Sequence, residues 1–197
     1  MEKINSLVEP LVEPLVKPLV KPWIQTYSGY KFDFVNLDTN VICIRDIAHA
    51  LSNICRYTGH TNEFYSVAQH SVLASYIVPE EDALSGLLHD ATEAYLSDIS
   101  KPLKLLLPEY NALEDRIWLK IAERFNLPAV LPITVKQADI ILLATEKRDL
   151  LGDEPDDWGI IKDVVCMENK IVPLPPKEAE ELFLSRVNQI ELSDTLG

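Results

Sequence analysis

Leu87-Leu88-His89-Asp90-Ala91-Thr92-Glu93 is the stretch on which the reading of this chain turns. An apolar helical run enters a His-Asp pair, and Glu93 follows His89 by four residues. On an α-helix, residues 89 and 93 lie one turn apart on one face, with Asp90 offset by about 100°. A metal ion at the edge of such a helix takes an imidazole nitrogen from His89 and a carboxylate oxygen from Asp90, and Glu93 faces its water shell. Alone the dipeptide is weak, because a single helical histidine is more often a core or surface residue than a ligand. Its surroundings strengthen it. All four histidines fall between positions 49 and 89. His70, in Val67-Ala68-Gln69-His70-Ser71, opens a helix 19 residues upstream. Asp139, in Val135-Lys136-Gln137-Ala138-Asp139, precedes the apolar run Ile140-Ile141-Leu142-Leu143. A carboxylate beside a buried run needs a partner or a metal. Three helices thus offer two imidazoles and two carboxylates, a donor set suited to Mn, Co, Fe or Zn and less to Mg.

The flanking sequence predicts a mainly helical domain. Ser66 caps a helix over 67–77. Pro79 opens another as a first-turn proline, continuing to about 96. Residues 98–108 read as a loop containing Pro102. A helix over 110–125 turns Leu113, Ile117, Ile121 and Phe125 to one side. Thr134 caps a helix reaching about 151. Residues 153–176 read as irregular, with a hairpin at 160–172, and an amphipathic helix covers 177–190. Upstream, 44–56 has helical spacing with Ile47, Leu51, Ile54 and Cys55 on one face. Aromatic and β-branched residues flank Ser28-Gly29 and predict a hairpin over 23–34, followed by a loop at 38–40. The expected fold is a helical bundle with one or two small β-hairpins. It forms a single domain over 23–197 behind an arm at 1–22. That arm repeats Leu-Val-Glu-Pro twice and Leu-Val-Lys-Pro twice. Proline at every fourth position excludes an α-helix and favours an extended arm.

Composition narrows the function. With 197 residues, 47% apolar and 25% charged, the chain fits one globular domain. A net charge of −13 argues against a nucleic-acid partner. It also repels a phosphorylated substrate, unless a bound cation and local basic residues such as Arg56, Lys101 and Lys104 reverse the sign near the site. No apolar run is long enough to span a membrane, and no signal-peptide pattern opens the chain, so a cytoplasmic protein is expected. Cys43, Cys55 and Cys166 have no CxxC spacing and predict buried free thiols rather than a disulfide framework or zinc cluster.

With these segments in view, the sequence resembles the HD-domain phosphohydrolases, and most closely the small bacterial 5'-deoxynucleotidases and the phage dATP triphosphohydrolases. The resemblance is carried by Ser66-Val67-Ala68-Gln69-His70-Ser71, Leu88-His89-Asp90-Ala91-Thr92-Glu93, Asp98-Ile99-Ser100-Lys101-Pro102-Leu103-Lys104 and Val135-Lys136-Gln137-Ala138-Asp139. It implies that His70, His89, Asp90 and Asp139 are the metal ligands, that Glu93 positions or deprotonates the attacking water, and that Asp98 is a second carboxylate near the scissile phosphate. It implies that Lys101, Pro102 and Lys104 belong to the loop facing the nucleotide. It also implies that Arg56 and Tyr57 stand for an Arg-Trp pair that binds sugar and base, with Tyr in place of Trp. The stretch between His70 and His89 is shorter than in those enzymes. The resemblance further implies a homodimer or higher homo-oligomer and, for a phage-encoded chain, the host cytoplasm.

The expected chemistry is in-line attack of water on phosphorus, with Glu93 as base and Arg56, His60, Lys101 or Lys104 offsetting charge on the equatorial oxygens. Gly59 predicts a tight turn at His60, where the Thr58 and Thr61 hydroxyls are candidate phosphate contacts. His49, Tyr95 and Tyr110 are read as structural, and the acidic run at 153–157 as a solvated loop. The leading expectation is a phosphohydrolase of small-molecule (deoxy)nucleotides, either a dNMP 5'-nucleotidase or a dNTP triphosphohydrolase. The alternatives are an HD enzyme acting on a signalling nucleotide and a non-catalytic nucleotide-binding module.

Overall fold

The computed structural model describes residues 21–153 and 158–196. The Leu-Val repeat and most of the acidic run at 153–157 lie outside them. The order is β1 (Trp23–Gln25), β2 (Lys31–Asp33), α1 (Ile44–Asn53), α2 (Val67–Ile77), α3 (Ala83–Leu88), α4 (Glu93–Leu96), α5 (Lys101–Lys104), α6 (Pro108–Phe125), α7 (Ile133–Leu150) and α8 (Pro176–Leu196). Among the described residues the fold is mainly α with one small antiparallel hairpin. No helix among the described residues is long and apolar enough to cross a membrane.

Helix α2 is the centre of the bundle, packed against α1, α3, α7 and α8. Its sequence has no single apolar stripe, as a helix surrounded by others requires. Ser66 caps it as predicted, its side chain accepting the Gln69 N–H at 3.1 Å. Most polar residues it carries inward are bonded: Gln69 donates to the Val172 carbonyl and accepts from Leu174 N–H, and Ser75 donates to the Val72 carbonyl, while the Ser71 hydroxyl has no partner among the described residues. Around it, Ile47, Leu51, Val67, Ala68, Leu87, Leu88, Ile117, Ile121 and Phe183 form the core. Phe32 of β2 stacks on Tyr95 of α4, with centroids 3.9 Å apart, and fastens the hairpin to the bundle.

Several boundaries differ from the sequence expectation. The first helix stops at Asn53, not 56, because the following residues pair elsewhere. Val67 N–H bonds the Ile54 carbonyl, Arg56 N–H bonds the Tyr65 carbonyl, and Cys55 and Ser66 form a β-bridge. Ile54 and Cys55 therefore lie beyond the helix. The single helix expected over 79–96 is a 3-10 turn at Glu80–Asp82, α3, a turn at 89–92, and α4. The expected loop at 98–108 contains α5, with Pro102 in its first turn. Thr134 does not cap α7: Pro132 is the N-cap residue, and the Thr134 hydroxyl donates to Asp82. The described part of 153–176 holds a 3-10 turn at Gly159–Ile161 and no hairpin. Residues 37–39 form a 3-10 turn that overlaps the loop expected at 38–40. The three thiols are free but half-buried rather than buried.

Gly86 sets how closely α2 and α3 approach. A Cβ there would stand 3.1 Å from Val78 Cγ2, 3.2 Å from Ser75 Cα and 3.3 Å from the Ala74 carbonyl oxygen. Two of those atoms are backbone and move only with α2. Gly86→Ala is therefore expected to destabilise the fold by about 1–3 kcal/mol, read as a lower urea midpoint. An unchanged midpoint would mean that the contact is not rigid.

Candidate metal centre

His70 lies one turn into α2 and is fully buried. Its two ring nitrogens are both engaged by α7, because Asp139 and Glu146 are seven residues, about two turns, apart and share a face. Nδ1 donates to Glu146 Oε1 at 2.6 Å, and Nε2 lies 3.4 Å from Asp139 Oδ1. His89 follows α3, and its Nδ1 donates to the Gly86 carbonyl at 2.8 Å. With both Nδ1 atoms held by these acceptors, the two Nε2 atoms face each other 3.3 Å apart. Burial works against the charged imidazoles, but Glu146 and Asp139 raise the pKa of His70, and Asp90 raises that of His89 to about 9. Asp90 Oδ2 is 3.2 Å from His89 Nε2 and 3.6 Å from His70 Nε2. Two such nitrogens facing each other between carboxylates share a positive charge, carried by a proton or by a metal ion. His70, His89 and Asp139 form a group able to hold a metal ion, their ligand atoms all within 4.8 Å of one another.

The turn at 89–92 changes how Glu93 reaches this point. Ala91 N–H bonds the Leu88 carbonyl and Glu93 N–H bonds that of Asp90, both three residues back. Such tight turns align i with i+3, so Glu93 stands over Asp90 rather than over His89. Glu93 is 4% exposed, and its Oε2 has no partner among the described residues. Burial, then the charges of Asp90 and Asp98, raise its pKa well above the ordinary carboxylate range, against Lys104 and Arg56. Burial likewise raises Asp98, opposed by Arg56 and assisted by Asp90. Lys104 Nζ lies 3.6 Å from Glu93 Oε1 and 2.7 Å from Glu114 Oε1.

Glu146, missed in the sequence, anchors the interior of the centre. It is fully buried and takes bonds from four side chains. Besides His70, Tyr65 donates to Oε1 at 2.9 Å, Tyr57 to Oε2 at 2.5 Å and Arg56 Nε to Oε2 at 3.2 Å. Burial acts to raise its pKa, but Arg56 and His70 overcome this and hold it down at about 2. Arg56 also lies 3.4 Å from Asp90 Oδ2. Burial raises Asp90, yet the charges of His89, His70 and Arg56 hold it well below its usual range. The sequence signal for Glu146 was its spacing, two turns after Asp139 on the inner face of the same helix.

The remaining expected site residues divide. Arg56 and Tyr57 reach the centre, turned inward onto Glu146. Tyr57 and Thr58 have φ of 54° and 55°, a left-handed backbone costing about 1–3 kcal/mol per residue and persisting only where surroundings impose it. Gly59, with φ 80°, completes the predicted turn. His60 is exposed after it, and the Thr61 hydroxyl is bonded to the Glu63 carbonyl within the loop. Lys101 and Pro102 are exposed on α5, whereas Lys104 points inward. His49 is held by Glu180 and stacks on Tyr27, Tyr95 stacks on Phe32, and Tyr110 donates to the Ser97 carbonyl.

No family model matches the chain. Two bacterial proteins are similar along most of its length. The uncharacterized protein YfdR of Escherichia coli (strain K12) is 46% identical over 169 residues, covering 85% of this chain and 95% of that protein. An uncharacterized protein of Rhodobacter capsulatus is 32% identical over 182 residues, covering 83% of this chain and 93% of that one.

Proposed function

The chain belongs to the same family as YfdR and its Rhodobacter capsulatus relative, and from the geometry of its centre we propose that it is a metal-dependent phosphohydrolase of the HD type acting on (deoxy)nucleotides. The observation that carries the reading is the pair of Nε2 atoms 3.3 Å apart beside the carboxylates of Asp90 and Asp139, with the unpartnered Glu93 carboxylate oxygen buried beside Asp90. His70, His89, Asp90 and Asp139 would hold the ion, and the nitrogen and oxygen mixture suits Mn, Co, Fe or Zn. A divalent ion bound there supplies Lewis acidity and lowers the pKa of water. Glu93, its proton affinity raised, accepts the proton of the attacking water as the new oxygen–phosphorus bond forms. Asp98, also raised, protonates the nucleoside oxygen as the bond to phosphorus breaks. Lys104 and Arg56 offset the negative charge of the phosphate in a chain whose net charge is −13.

A panel of dNMPs and dNTPs with Mn or Co tests this. Orthophosphate from dNMPs identifies a 5'-nucleotidase, and tripolyphosphate from a dNTP a triphosphohydrolase. Chelation with EDTA is expected to abolish release, and added Mn or Co to restore it. Release from no nucleotide overturns the reading.

A further inference from the structure

Thr26 Oγ1, Asp46 Oδ2 and Tyr95 Oη are buried polar atoms without a hydrogen-bond partner among the described residues, and all three residues line one cavity of about 300 Å³. None of the residues assigned to the metal centre lines it. The two share only α4, whose Glu93 faces the centre while Ala94 and Tyr95 face the cavity. Asp46 and Tyr95 are 3% and 6% exposed. Asp46 Oδ1 accepts the Ser28 N–H at 2.7 Å, which fixes the carboxylate and leaves Oδ2 in need of a donor. No lysine or arginine among the described residues forms an ion pair with it.

One wall is aromatic. The rings of Tyr27 and His49 stack with centroids 3.7 Å apart and planes 11° from parallel. His49 Nδ1 is fixed by Glu180 Oε2 at 3.0 Å. Tyr27 is 53% exposed and forms the outer part of the wall, with the Arg45 guanidinium carbon 5.2 Å from its ring centroid. An occupant must therefore bring an N–H donor to a carboxylate and meet two hydroxyls, and a flat one fits beside the stacked pair. An anion is disfavoured by Asp46 and by Glu180 behind His49. The volume is at the small end of ligand sites, which favours one ring system over a nucleotide.

We propose that this cavity binds a planar, uncharged heterocycle bearing an amino group, of nucleobase or nucleoside size, with the amino group on Asp46 Oδ2 and the ring against Tyr27 and His49. The inference does not depend on the phosphohydrolase reading. It is tested on the full-length, EDTA-treated protein by calorimetric titration with adenosine, guanosine and cytidine, using uridine and thymidine as probes without an amino group. One-to-one binding of at least one amino nucleoside is expected, unchanged by added Mn. Asp46→Asn is expected to weaken it roughly ten- to a hundredfold. Tyr95→Phe and Thr26→Val are expected to weaken it less, and they carry the test if loss of the Ser28 bond unfolds Asp46→Asn. Absence of binding at millimolar concentration, equal binding of uridine and thymidine, or indifference to these substitutions overturns the proposal.

Discussion

Glu93→Gln is expected to lower phosphate release by roughly a hundred- to ten-thousandfold while leaving the fold and the metal content intact. The substitution keeps the length and shape of the side chain and removes the proton acceptor. Nothing else in the packing depends on its charge. Lys104 retains Glu114 at 2.7 Å, so no buried cation is orphaned. A neutral amide is also easier to bury than a carboxylate held between Asp90 and Asp98. The melting temperature should therefore stay level or rise, which separates a chemical role from a structural one. The measurement is kcat beside metal stoichiometry and thermal unfolding on the same preparation. A loss smaller than about tenfold would remove Glu93 from the reaction.

Glu146→Gln should instead damage the centre from behind, without touching substrate. The carboxylate is fully buried, and four donors from residues 56, 57, 65 and 70 converge on it. An amide offers one acceptor oxygen and turns an NH2 group toward the remaining donors. Arg56, only 12% exposed in its side chain, loses its main counter-charge. Breaking a buried ion pair from one side costs about 3–5 kcal/mol. Loss of the carboxylate that orients a ligating imidazole lowers metal affinity roughly ten- to a hundredfold. Urea unfolding and a competitive metal titration read the two effects separately. A variant as stable as the wild type and binding metal as tightly would mean that His70 is oriented by packing alone. Tyr57→Phe, which removes one donor of the four, is expected to show the same pattern more weakly.

The difference between these two carboxylates reflects what a sequence carries. Glu93 was legible because it stands beside the His-Asp pair, within one turn. The correction it needed was local too: tight turns over 89–92 align it with Asp90, and periodicity cannot distinguish those from a continuous helix. Glu146 shares a face with Asp139 in the sequence, but its role was not legible there, because its partners lie 76 to 90 positions away. The same distance effect hid that Arg56 and Tyr57, read as substrate contacts, bond Glu146, where pairing of 54–56 with 65–67 brings them. The orphaned atoms of Thr26, Asp46 and Tyr95 come from a hairpin turn and two helices, and nothing in their separate contexts marks them as neighbours.

Signals confined to a few residues were thus enough to predict a mainly helical fold, the Ser66 cap, the inner face of α6, and His70, His89 and Asp139 as a group able to hold a metal ion. Hydrogen-bonded turns, caps and apolar spacing act between residues close along the chain, so the sequence by itself contains them. The tertiary structure alone decided which ring nitrogens face one another, which carboxylate anchors His70, and which basic residues reach the centre. Those outcomes depend on desolvation and Coulomb pairing between side chains far apart in sequence. Only packing α7 across α2 and α3 brings such groups within a few ångströms.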